Sequence, residues 1–392
     1  MKVLQVTEEI YPNRLGGVGK HVYDLSVELI NNGIDIKILV KNLQKNSEVS
    51  DKVQLANNHE KVEKSIIKYT SLLDFYRLIS TYRFDVVHFH QLGPRPLGYL
   101  QNDIAQFLAK KKGSKIVNTP HGAFDVLVHP PSVESTRYPK LAMNLYLYYL
   151  TKVSLKWVDK LIAVSPHQVK IMEILGIPKR KIELIPNGIQ DYYFEPGDKD
   201  LFPSKYNLQD KRILLYVGRV APRKRVSEII EILPNIIKKH EDVVLVVIGP
   251  DKGSLRELQE LTQKLELKQD ILFLGVVSEK EKIDALASAY LFVNPSEYEA
   301  FGITVLEAMA QGTPVISSDN EGAKYLLEHG KYGLLYPIGN KEELSKCILS
   351  LLDDERKAKE FGSKGRKRAE KFRWENIAKE MVDVYEKLNA DR

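Results

Sequence analysis

The sequence predicts an α/β protein built from doubly wound, parallel sheets. Three observations carry this reading. Short apolar strands alternate with helical stretches along the chain, a turn-rich stretch interrupts that rhythm near the middle before it restarts, and in the second half the strand ends keep meeting glycine or proline. At 392 residues the chain is long for one core, so two domains are expected.

In order, Lys2 to Val6 reads as a strand, Gly19 to Asn31 as a helix and Ile34 to Val40 as the next strand. Further strands are expected at Ser65–Tyr69, Val86–Phe89, Lys115–Asn118, Lys160–Val164 and Ile182–Ile185. The stretch from Pro186 through Pro196-Gly197-Asp198 to Pro203 resembles a linker. Strands then resume at Ile213–Val217, Val243–Ile248, Ile271–Leu274, Leu291–Val293, Val315–Ser317 and Gly333–Leu335. Two Rossmann-like domains facing each other across a cleft is the expected architecture. Neither an internal repeat nor a low-complexity tract is evident.

Composition excludes several classes. Hydrophobic content of 43% and charged content of 28% are those of an ordinary globular protein. No apolar run of about 18 residues is present to span a bilayer, and the acidic pair Glu8-Glu9 comes too early for a signal peptide. The single cysteine, Cys347, excludes an internal disulfide and a Cys-rich metal site. A cytoplasmic location, or the inner face of the cell membrane, is expected. The residues up to Arg180 carry 25 basic and 16 acidic side chains, the remainder 33 and 36. That basic first half suits an anionic partner, lipid headgroups or a phosphorylated acceptor, or is simply a solvated surface. Nucleic acid is not expected, because the basic residues are dispersed and the second half is acidic.

Glu299 and Glu307 are the most informative pair. Seven residues separate them, in a segment that starts as a loop after the strand Phe292-Val293-Asn294 and ends as an apolar helix closed by Gly312. Loops of this kind lie at the carboxyl edge of a parallel sheet, where such folds bind ligands, and carboxylates there accept hydrogen bonds from the hydroxyls of a polyol. Gly218-Arg219-Val220-Ala221-Pro222-Arg223-Lys224 also joins a strand to a helix. Arg219 and Lys224 suit a diphosphate, although Arg212, Arg223 and Arg225 compete for that role. Gly16-Gly17-Val18-Gly19 opens a helix whose backbone N–H groups favour an anion, with spacing unlike a dinucleotide fingerprint. His121, after Asn118-Thr119-Pro120, is a candidate to face a ligand, whereas His88 and His90 read as core or acceptor-loop residues. The three lack a spacing that argues for a metal. Asp198-Lys199-Asp200 falls in the linker, so no metal-bound diphosphate is expected there. Arg137 to Trp157 mixes aromatics, leucines and lysines, as a membrane-interface helix or a helix covering the core would.

Gly16–Gly19, Thr119–Gly122, Pro186-Asn187-Gly188-Ile189, Gly218–Lys224 and, most specifically, Pro295–Pro314 together resemble the retaining GT-B glycosyltransferases of family four (glycosyl transferases group 1). The resemblance implies an N-terminal acceptor domain over residues 1–190, a donor domain over 191–372, and a tail, 373–392, returning to the first. It implies that Glu307 binds ribose hydroxyls and Glu299 sugar hydroxyls. Backbone N–H groups of Phe301, Gly302, Ile303 and Thr304 would meet sugar and phosphate. Arg219 and Lys224 would neutralise the leaving diphosphate beside Gly218, with Gly16 and Gly17 facing the phosphates. Val276 would border the base and His121 the donor sugar. It further implies transfer with retention, without cofactor or metal, of a hexose or N-acetylhexosamine from a UDP- or GDP-sugar to a lipid-linked or cell-envelope glycan. Asn320-Glu321-Gly322-Ala323-Lys324-Tyr325 departs from the family pattern, keeping Gly322 where a glycine pair is common. A nucleotide-sugar epimerase of the same fold, or a non-catalytic nucleotide-sugar-binding protein, are the alternative readings.

Overall fold

The computed structural model describes residues 1–11, 16–41, 59–69, 71–90, 96–121 and 154–390, with backbone alone at 59 and 96–101. The chain forms two compact units. One holds the chain up to Gly188 and the terminal stretch from Trp374; the other holds Ile189–Arg373.

The first unit is a parallel sheet of β1 (Lys2–Thr7), β2 (Asp35–Val40), β3 (Ile66–Lys68), β4 (Val86–His90), β5 (Lys115–Thr119), β6 (Lys160–Ala163) and β7 (Ile182–Leu184). Their order is β3-β2-β1-β4-β5-β6-β7. The second unit has β8 (Arg212–Val217), β9 (Val243–Ile248), β10 (Ile271–Gly275), β11 (Leu291–Asn294), β12 (Val315–Ser318) and β13 (Leu334–Tyr336), ordered β10-β9-β8-β11-β12-β13. All pairings are parallel. In both sheets the order reverses beside the first strand, between β1 and β4 and between β8 and β11. Loops leaving those strands at their carboxyl ends diverge there and leave a crevice for a ligand.

Each unit has its own apolar core. Leu4, Phe89, Ile116 and Leu161 are buried at the centre of the first, and Leu214, Ile229, Leu245 and Val293 at the centre of the second. β9 is buried at every position, as expected of a strand covered on both faces. The helix Gly17–Asn31 starts two residues before the expected Gly19, with Gly16 extended ahead of it. The final helix, Trp374–Ala390, packs against it within the first unit.

From Ile189 on, the stretch expected to be a linker is instead part of the second unit. Ile189 bridges to Arg373, and Tyr193 and Phe194 are buried. Gln311 donates from Nε2 to the carbonyls of Tyr193 and Glu195 at 2.6 and 2.9 Å. Buried aromatic side chains outweigh the turn-forming composition. The Asp198-Lys199-Asp200 motif serves a local turn: Asp198 Oδ1 accepts from the backbone N–H groups of Asp200 and Leu201 at 3.0 and 2.9 Å, which holds its carboxyl below the usual range. The Arg137–Trp157 segment lies outside the described residues except for its last few. Among the described residues no helix is long and apolar enough to cross a membrane.

Candidate active site

At the reversal point of the second sheet, the loops after β8 and β11 are tied together. Glu297 donates its backbone N–H to the Arg223 carbonyl at 2.9 Å, and Lys224 Nζ donates to Glu299 Oε1 at 2.5 Å. The candidate diphosphate cation and the candidate sugar ligand are thus an ion pair, half-shielded from water. Arg219 is exposed and has no carboxylate within pairing distance among the described residues. Its carbonyl accepts from the Tyr216 hydroxyl at 2.9 Å. Gly218 leaves room for that hydroxyl, which a Cβ would approach to 2.7 Å. Arg223 stacks on Tyr298, and its Nε is buried without a partner among the described residues.

The loop after β11 ends at Gly302, whose φ of 96° is left-handed and favours glycine. It starts the helix Ile303–Gln311. The first backbone bond of that helix runs from Leu306 to Gly302, so the N–H groups just before Leu306 have no partner within the helix and suit an anion or hydroxyl. The Phe301 side chain does not share this task. It is buried against Tyr325 and Phe372, at 5.7 Å from the latter.

Glu307 sits one turn into the helix and is 1% exposed. Its Oε1 accepts from Tyr193 Oη at 2.8 Å and Lys282 Nζ at 3.1 Å. Glu279 shares both donors, pairing with Lys282 at 3.2 Å and accepting from the Tyr193 hydroxyl. A hydroxyl has one proton, so Lys282 is what lets two carboxylates share this place. Burial and both carboxylates push the Tyr193 phenol well above its ordinary pKa, which keeps it a donor. Among the described residues Glu307 Oε2 is buried with no hydrogen-bond partner. We expect Tyr193→Phe to weaken nucleotide affinity a few-fold and to lower stability by about 1–2 kcal/mol, measured by calorimetric titration and denaturant melts.

Under the loop lies a buried polar network. Asn294 Oδ1 accepts from Ser296 Oγ at 2.7 Å and Asn294 Nδ2 donates to Ser317 Oγ at 3.1 Å. Asn320 Nδ2 donates to the Ser296 carbonyl and Ser318 Oγ, both at 3.1 Å, while its Oδ1 accepts from the Ala323 N–H at 3.0 Å. Asn320 thereby caps the helix Glu321–Leu326 and anchors the loop that carries Glu299.

In the first unit, the corresponding reversal point collects histidines. His90 Nδ1 lies 3.2 Å from His121 Nε2, and the His21 ring is 4.6 Å from that of His121. His88 bridges Tyr385 Oη at 2.6 Å and Thr119 Oγ1 at 2.7 Å. Burial lowers the His21 pKa to about 4 and holds His88, His90 and His121 well below their ordinary value. All four are therefore neutral at pH 7. Gly17, the first helical residue, is exposed beside Gly16.

Two family models match consecutive parts of the chain: Glycosyltransferase Family 4 over residues 15–191 and Glycosyl transferases group 1 over 198–368. The chain belongs to this family of glycosyltransferases. By that family it is an enzyme that transfers a glycosyl group. An uncharacterized glycosyltransferase of Methanocaldococcus jannaschii is 25% identical over 98% of both chains. A phosphatidyl-myo-inositol mannosyltransferase of Mycolicibacterium smegmatis is 28% identical over 56% of this chain and 54% of its own. Anabaena HepE in complex with UDP-glucose has the same fold, with TM-score 0.79 and 18% identity over 99% of this chain and 100% of that one.

Within this glycosyltransferase the sequence-selected residues fall into two groups. Gly218, Arg219, Lys224, Glu299, Phe301, Gly302, Ile303, Thr304 and Glu307 gather at the reversal point of the second sheet, with Val276 following β10. Gly16, Gly17 and His121 belong to the first unit. Tyr193, Glu279 and Lys282 escaped sequence reasoning because nothing in their spacing links them to Glu307. The one available signal was an aromatic pair, Tyr192-Tyr193, inside an otherwise turn-forming stretch.

Proposed function

We propose that this glycosyltransferase transfers a hexose or N-acetylhexosamine with retention from a UDP- or GDP-sugar to a lipid-linked or other cell-envelope glycan, without a metal at the diphosphate. The buried, unpartnered Oε2 of Glu307 carries the donor reading. A carboxylate oxygen removed from water without a donor is costly, and a ribose hydroxyl supplies the missing donor. The fold shared with the UDP-glucose complex of HepE is consistent with a nucleoside diphosphate guest. The mannosyltransferase relative, named for a phosphatidylinositol, supports a lipid-linked acceptor.

In this mechanism the bond between the anomeric carbon and the diphosphate oxygen breaks first. Positive charge develops on the sugar and negative charge on the leaving oxygen. Arg219 and Lys224 stabilise the latter electrostatically, and Glu299, relieved of part of its pairing with Lys224, accepts from sugar hydroxyls. The acceptor hydroxyl attacks from the face the diphosphate has left and gives its proton to a diphosphate oxygen, so configuration is retained. His121, neutral, contacts the donor sugar.

The experiment is a thermal-shift screen against UDP, GDP, ADP and their sugars, followed by product analysis with the donor that binds. A shift with one nucleotide and an α-linked product from an α-linked donor support the proposal. An inverted product, a C2- or C4-epimer formed without acceptor, or strict dependence on an added divalent metal overturns it.

A further inference from the structure

We propose that His21, His90 and His121 form a binding site for a divalent transition-metal ion of the zinc type, and that its occupancy inhibits transfer. The inhibitory part rests on the role proposed for His121; the binding part does not. These residues are far apart in sequence and come from three places. His21 lies on the helix Gly17–Asn31, His90 ends β4, and His121 follows β5. The strand order sets β1 beside β4 and β4 beside β5, so the three meet at the carboxyl edge of the sheet.

Their geometry suits a metal. One ring nitrogen from each lies within 4.8 Å of the others. The separation of 3.2 Å between His90 Nδ1 and His121 Nε2 is close to the edge of a tetrahedron with Zn–N bonds of about 2.0–2.1 Å, which is roughly 3.3–3.4 Å. Among the described residues both His21 nitrogens are buried without a partner at full hydrogen-bond geometry, with the Asn187 side chain nearby. Such an arrangement costs stability unless something accepts their lone pairs or protons. His21 and His90 are each 2% exposed. Among the described residues no carboxylate or thiol enters the set, and three imidazoles are a donor group that zinc favours over magnesium or calcium.

The surroundings hold the donors in place. Trp374 packs edge-on to His21 at 5.2 Å and His88 lies over His90 at 4.0 Å between ring centres. His88 is itself tethered to Tyr385 and Thr119, so it steadies His90 rather than joining the metal. An imidazole in its neutral form offers a lone pair to a metal. A metal bound here takes His121 away from the sugar.

The test uses the full-length protein without a polyhistidine tag, stripped with chelator and titrated with Zn2+ and, separately, Co2+. One equivalent bound, an intense tetrahedral Co2+ spectrum and X-ray absorption showing three imidazole nitrogens on Zn2+ support the site. His21→Gln and His90→Gln should abolish stoichiometric binding, whereas His329→Gln, at an exposed position of the other unit, should leave it unchanged. Oxygen-dominated coordination, or binding retained in both variants, overturns the site. The spectroscopy on the unaltered protein decides the matter even if a variant fails to fold. If the metal binds at three imidazoles while transfer continues unaffected, the site stands and the role of His121 in transfer fails.

Discussion

Replacing Glu307 by glutamine is expected to raise the dissociation constant for the nucleotide roughly 10- to 100-fold. A hydrogen bond to a charged acceptor contributes about 1.5–3 kcal/mol, and the unpartnered Oε2 is where the ribose hydroxyl bonds. The same change should cost the free enzyme little. Glutamine keeps the volume, Lys282 keeps its bond to Glu279, and a buried, half-satisfied carboxylate is removed. The expected result is therefore a separation: an unchanged or slightly raised melting temperature, with the nucleotide-induced rise largely lost. Calorimetric titration and thermal melts of the two proteins check this. Unchanged affinity in E307Q would remove Glu307 from the donor site. Loss of affinity together with a large fall in melting temperature would instead make it a structural residue of the Tyr193–Lys282 cluster.

The fold was legible because fully buried parallel strands are unbroken apolar runs. Val243–Ile248 reads VVLVVI, and its expected and observed bounds coincide. Ends were less legible where glycine allowed two outcomes, as at Gly17, which proved helical. The gathering of Glu299, Lys224 and Glu307 at one sheet edge was legible because charged side chains at strand ends have few structural uses. Their partners were not. Tyr193 lies 114 residues before Glu307, and only the packing of Phe194 and the Gln311 bonds bring it there. The histidine cluster escaped for the same reason: spacing rules search one helix or loop, whereas strand order unites three. At Gly218 the atom nearest the missing Cβ is the protein's own Tyr216 hydroxyl, a contact the spacing of the loop does not show.

Gly322 provides the second strong expectation, in the segment where the family resemblance was weakest. It lies inside the helix Glu321–Leu326, and a glycine-to-alanine change within a helix ordinarily stabilises by up to about 1 kcal/mol. Here the sign should reverse. A Cβ at Gly322 would stand 2.7 Å from the carbonyl oxygens of both Glu299 and Phe301. Both are backbone atoms, and the Gly322 N–H already donates to the Glu299 carbonyl at 3.2 Å. Relief therefore requires moving the loop, the helix or both. Asn320 resists that movement through its bonds to the Ser296 carbonyl and Ser318. Overpacking of this kind costs about 1–3 kcal/mol. The displacement falls on Glu299 and on the backbone leading to Gly302, so Gly322→Ala should lower turnover more than tenfold. Glu321→Ala, on a half-exposed side chain paired with Lys324, should leave it nearly unchanged. Steady-state kinetics and melts of both variants distinguish the cases. A G322A protein as stable and as active as its parent would mean that the loop accommodates the methyl group freely, and that the Glu299 position does not depend on this helix.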